Sequence, residues 1–108
     1  MSKCKRTQSS LYEEAKRIAH FYFVALRVIK HGQTINDSNK ITLDDYESYI
    51  MRVRLAYNQL DLVDQRIINN DFFYQEYPGW WVKTFSKSTY YRLRSRSIKN
   101  FVEAFNNA

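Results

Sequence analysis

Residues 83–101 read KTFSKSTYYRLRSRSIKNF and carry six basic side chains, Lys83, Lys87, Arg92, Arg94, Arg96 and Lys99, with no acid among them. Ser86 and Ser88 both suit a helix N-cap, because a short hydroxyl accepts a hydrogen bond from the amides that the first turn leaves unpaired. A helix is therefore expected to begin near Lys87. At roughly 100° per residue, Leu93, Ser97, Ile98, Phe101, Ala104 and Phe105 fall within about 80° of Tyr90. Ser88, Arg92, Arg96 and Lys99 cluster on the opposite side. One face is built to bury and the other is cationic. An ordinary amphipathic surface helix shares that pattern. What sets this one apart is Ser-Lys-Ser-Thr at its amino end, where a DNA-reading helix presents its first turn to base edges. Arg92, one turn further on, can offer a guanidinium fork to guanine.

The run FSKSTYYRLRSRSIKNFVEAF, residues 85–105, resembles the second helix of the helix-turn-helix in region four of sigma factors. It is more similar still to phage transcriptional regulators of the ArpU and RinA type, whose carboxyl ends read much like S-x-S-T-Y-Y-R-x-K-x-x-A-I. It also resembles a small mollicute protein family that has WW before a Ser-x-Ser-Thr-Tyr-Tyr-Arg element. The resemblance spans residues 59–105. It implies a helix-turn-helix that enters the major groove of double-stranded DNA, a sigma-like role in transcription regulation, and RNA polymerase as a further partner. Sigma factors carry a plain E-I-A-x-x-L-G first element where this chain has PGWWVKTF, which leaves the angle between the two helices open. Docked in that way, Lys87, Ser88, Thr89 and Arg92 are expected to face base edges, with Tyr91 at the border of the groove. Lys83, Arg94, Arg96 and Lys99 are expected to hold phosphates.

The rest of the composition agrees with a small folded helical protein. With 108 residues the chain suits one domain. An apolar share of 44% and a charged share of 26% are those of a folded, water-exposed protein. Two Gly and one Pro are few for the tight turns of a β-sandwich or barrel. The expected fold class is all-α, a single domain of four to five helices with a carboxyl-terminal helix-turn-helix. Its net charge of +6 is unevenly spread. Residues 1–30 hold seven basic and two acidic side chains, residues 31–82 four and eight, and residues 83–108 six and one. Both ends are cationic and the middle is anionic, a distribution that suits phosphate contact. A single cysteine, Cys4, cannot form an intrachain disulfide, which points to a reducing, cytoplasmic setting. The most apolar run, residues 18–29, contains His20 and Arg27 and falls short of the roughly 20 residues that span a bilayer.

Residues 1–9 lack hydrophobic periodicity and read as a flexible basic arm. Residues 10–57 read as a helical pair and 58–108 as the sigma-like part, packed together. Ser10 and Glu13 have capping-box spacing, so a first helix is expected from Leu11 to Lys30, stopping at Gly32. Its stripe of Leu11, Ala15, Ile18, Tyr22, Leu26 and Ile29, with Phe21, Val24 and Val28 beside it, is wide enough to touch more than one partner. Whether that helix also dimerises or only completes the core is open. Residues 32–41 are turn formers. Thr42 and Asp45 repeat the capping logic ahead of a second helix buried through Leu43, Tyr46, Ile50, Val53, Tyr57 and Leu60. After a break near Asn58–Asp61, a third helix is expected to reach Tyr74 and to pack through Leu62, Val63, Ile67, Ile68 and Phe72 or Phe73. Asp61 and Asp64 fall on its expected solvent face.

Pro78-Gly79 forces a turn, after which Trp80 to Phe85 is expected to form the short first helix of the helix-turn-helix. Two adjacent tryptophans stand about 100° apart on a helix and cannot share one core. Core packing and nucleobase stacking are both open to the pair. The sequence has no glycine-rich phosphate loop, no Cys or His metal spacing and no nucleophilic triad context, so neither enzyme activity nor a cofactor is expected. A protein-interaction module that docks through Tyr77, Trp80 and Trp81 is the alternative from another class.

Overall fold

Thr42 and Asp45 form the reciprocal cap that their spacing predicts. The Asp45 amide donates to Thr42 Oγ1 at 3.2 Å, and the Thr42 amide donates to Asp45 Oδ2 at 3.0 Å. They start α2 (Leu43–Asn58), which follows α1 (Gln8–His31). Next come α3 (Leu62–Ile68), a π-helical turn over Asn69–Phe73, and α4 (Lys87–Asn107). The computed structural model describes residues 8–31, 42–74 and 77–108. Among them the protein is all-α, a compact single domain of four α-helices with no strand. No helix among the described residues is long and apolar enough to cross a membrane. The expected basic arm over residues 1–9 falls largely, and the Gly32 stop and the loop at 32–41 wholly, outside them.

The core sits where all four helices meet. Leu11, Ala15, Ile18 and Ala19 of α1 pack with Val53 and Ala56 of α2, Ile68 of α3, Phe72 of the π turn, and Ile98, Phe101, Val102 and Phe105 of α4. A smaller cluster of Ala25, Val28, Tyr46 and Ile50 joins the far ends of α1 and α2. The wide stripe on α1 is thus used in full, since that helix packs on α2, α4 and the π turn. Arg52 fastens the end of α4 from α2: its Nε donates to the Phe105 carbonyl at 2.8 Å, and its guanidinium lies 4.2 Å over the Phe105 ring.

Three expectations are corrected. The first helix begins by Gln8, so Ser10 lies inside it and not at its cap. Leu62 and Val63 are exposed, Leu62 by 81%, whereas Asp64 is buried at 2%. Asp61 caps α3, its carboxylate accepting from the Asp64 amide at 2.8 Å, and the helix starts at Leu62 after the expected break, with Asp64 turned toward Arg96, Ser97 and Asn100 of α4. The third correction concerns Trp80 to Phe85, which is not a helix but a succession of turns. The Trp80 amide donates to the Tyr77 carbonyl, Val82 to Gly79, and both Thr84 and Phe85 to Trp81.

Gly79 takes φ +83° after Pro78, the arrangement of a type II turn, which few side chains tolerate. A Cβ there would meet Val82 Cγ2 at an ordinary 3.5 Å, so strain alone opposes substitution. Gly79→Ala is expected to lower stability by about 1 kcal/mol, read as a small drop in the urea midpoint with an unchanged slope.

Candidate nucleic-acid interface

Ser86 caps α4 through its Oγ, which accepts from the Thr89 amide at 3.2 Å, so the helix starts at Lys87 as its sequence predicts. Tyr90, Ser97, Ile98, Phe101, Val102 and Phe105 are buried, and Lys87, Ser88, Tyr91, Arg92, Arg96 and Lys99 are exposed. Thr89 is half-buried, while Lys83, in the turns ahead of the helix, is exposed. Of the nine residues expected to contact DNA, seven therefore stand open to solvent at the amino end of α4 or along its outer face.

The six cations of residues 83–101 do not share one environment. Arg94 is drawn inward, its Nε donating to Asp71 Oδ2 at 3.2 Å, with the side chain only 26% exposed. Arg96 reaches α3: its Nη2 donates to Asp64 Oδ1 at 2.8 Å and to Asp61 Oδ2 at 3.4 Å, and its Nε to Asp64 Oδ1 at 3.1 Å. Both were expected to hold phosphates, and both already hold carboxylates of the acidic middle of the chain. Lys83, Lys87, Arg92 and Lys99 form no ion pair among the described residues.

Asp64 is the hub of that arrangement and no feature of the apolar pattern identifies it. Ser97 Oγ donates to its Oδ1 at 2.6 Å and Asn100 Nδ2 to its Oδ2 at 3.0 Å, alongside Arg96. Burial pushes the carboxyl up, but the hydrogen bonds from Ser97, Asn100 and Arg96 and the charge of Arg96 outweigh it, holding it below its ordinary value. Ser97, buried on the apolar face of α4, hints at a polar partner without requiring one, since its Oγ also lies 2.8 Å from the Leu93 carbonyl of its own helix.

A second hub, Asp71, orders the turns before α4. It accepts from Trp80 Nε1 at 2.8 Å, from the Tyr90 hydroxyl and from Arg94. The Tyr90 phenol is held well above its ordinary value by burial and by its bond to Asp71. Trp81 stacks on the Tyr90 ring with centroids 4.2 Å apart and planes 5° from parallel, and Trp80 meets the same ring edge-on at 6.0 Å. Both tryptophans are half-buried against α4. Among the described residues no helix stands just ahead of α4; turn-borne rings support its start instead. Models of protein families, curated proteins and solved structures were all compared with the chain, and none of them matches it.

Proposed function

We propose that this protein is a sequence-specific DNA-binding regulator of transcription that sets the amino-terminal half of α4 in the major groove. Lys87, Ser88, Tyr91 and Arg92 face base edges, with Thr89 at the margin, and Lys83 and Lys99 hold phosphates on either side. Arg94 and Arg96 serve chiefly to fix the helix. The observation that carries this reading is the split among the cations. Arg94 and Arg96 are neutralised by Asp71, Asp64 and Asp61, and of the four cations without carboxylate partners Lys87, Arg92 and Lys99 stand exposed on α4 with Lys83 exposed in the turns ahead of it. The resemblance of residues 85–105 to sigma region four and to phage regulators supports it from the sequence side. The reading implies a cytoplasmic protein.

A fluorescence-anisotropy titration of a labelled duplex at several salt concentrations is the test. Neutralising about two phosphates, through Lys83 and Lys99, gives a log–log slope of about −1.8. On a specific site Arg92→Ala is expected to weaken binding by roughly 1–3 kcal/mol, and Lys99→Ala to weaken all sequences alike while reducing the slope by about 1. A flat salt plot overturns the proposal. It would favour the second reading, docking on RNA polymerase or another protein, for which Met51, Leu55, Leu62 and Tyr77 stand exposed.

A further inference from the structure

Beside the start of α4 lies a cleft of about 670 Å³, walled by Tyr77, Trp80, Trp81, Tyr90, Tyr91 and Arg94. Its size falls in the range of about 300–1,000 Å³ usual for ligand pockets. The walls are held in place before any ligand arrives, because Asp71 at the floor ties Trp80, Tyr90 and Arg94 together and Trp81 is stacked on Tyr90. Tyr77 and Tyr91 are open at the mouth. Asp71 is the one carboxylate among the described lining residues, and Arg94 neutralises it. Beyond that pair the surroundings are cationic, with Arg66 5.2 Å over the Trp80 ring and Lys16 5.2 Å from the Tyr12 ring, which also lines the cleft.

We infer that this cleft receives an unpaired nucleobase of the bound nucleic acid. Flat rings offer a stacking surface, and the cations around them fit the phosphates on either side of a splayed base. A proline-rich peptide also docks in aromatic-lined grooves, but it carries no phosphate to match the cations beside these rings. The cleft opens next to Tyr91, whose neighbour Arg92 begins the cationic edge of α4, so one strand can run from one surface to the other. The inference shares with the α4 reading the identity of the polyanion and the side chain of Tyr91, whereas Tyr77 and Trp81 belong to the cleft alone and lie ahead of α4.

The two tryptophans of the chain, Trp80 and Trp81, both line the cleft, so intrinsic tryptophan fluorescence reports on this site alone. The full chain is titrated with oligothymidylate, with a blunt duplex, and with the same duplex bearing a single-stranded overhang. The oligothymidylate and the overhang are expected to quench the emission saturably, and the blunt duplex to leave it nearly unchanged. Tyr77→Ala and Tyr91→Ala, at exposed positions that leave the core intact, are each expected to weaken the quenching titration roughly tenfold, since stacking on one ring is worth about 1–3 kcal/mol. Trp81→Ala, with folding checked by circular dichroism, should nearly abolish it. Blunt duplex that binds by anisotropy while no oligonucleotide quenches would overturn the cleft and leave the α4 reading standing. Quenching by single strands without duplex binding would do the reverse. Equal quenching by blunt duplex, quenching only by a proline-rich peptide, or no binding of any of these overturns the inference.

Discussion

Asp64→Ala is expected to destabilise the fold by about 3 kcal/mol, a drop of roughly 10–20 °C in midpoint temperature for a domain of this size. Three donors converge on that carboxylate, and its removal leaves Asn100 and Arg96 without their acceptor at the interface between α3 and α4, with Ser97 turning to the Leu93 carbonyl of its own helix. The estimate sits at the low end for breaking a buried ion pair because the Arg96 side chain is 45% exposed, so water takes over part of what Asp64 supplies. The pH dependence has a definite sign. The folded-state pKa of Asp64 lies below its ordinary 3.8, so the carboxylate's stabilising contribution is complete above that value and is lost as pH falls through the lower folded-state value. Urea unfolding at pH 7, 5 and 3 checks this. The gap between the native protein and Asp64→Asn should stay level from pH 7 to pH 5 and narrow toward pH 3. A gap that widens in acid would refute the assignment.

Phe101→Ala is expected to have an effect as large or larger, about 3–5 kcal/mol, a major share of the stability of an ordinary domain. Phe101 is completely buried and belongs to the cluster through which α4 meets α1, α2 and α3, with its ring edge-on to Phe73 at 5.9 Å. The surrounding side chains come from four helices and cannot all close on the space that is left. Phe101→Leu, which retains most of the volume, should cost less than about 1.5 kcal/mol. Equal losses for the two substitutions, measured by urea unfolding, would mean that the site relaxes and does not hold the four helices together. If the amino end of α4 reads DNA, both Phe101 variants should keep the affinity of their folded fraction, because the ring lies on the opposite side of the helix from Arg92.

A good part of this architecture was legible in local chemistry. The helix at Lys87, its Ser86 cap, the Thr42–Asp45 box and the apolar stripe through Tyr90, Ile98, Phe101 and Phe105 depend on residues three or four positions apart. Such patterns are written within one element and need no knowledge of neighbours. Helix content, the central place of α1 and the break before α3 followed from the same periodicity.

What tertiary structure alone decided is which charges are left over. Arg92 and Arg96 look alike in sequence, four residues apart on one face, yet Arg96 finds Asp64 and Asp61 from 32 and 35 positions away while Arg92 has no ion-pair partner among the described residues. The same holds for Asp71, whose partners Trp80, Tyr90 and Arg94 lie 9, 19 and 23 residues further on. Helical periodicity records how polar a face is. It does not record which distant carboxylate folds onto that face, because an ion pair depends on a few ångströms of separation that are set only when whole helices pack.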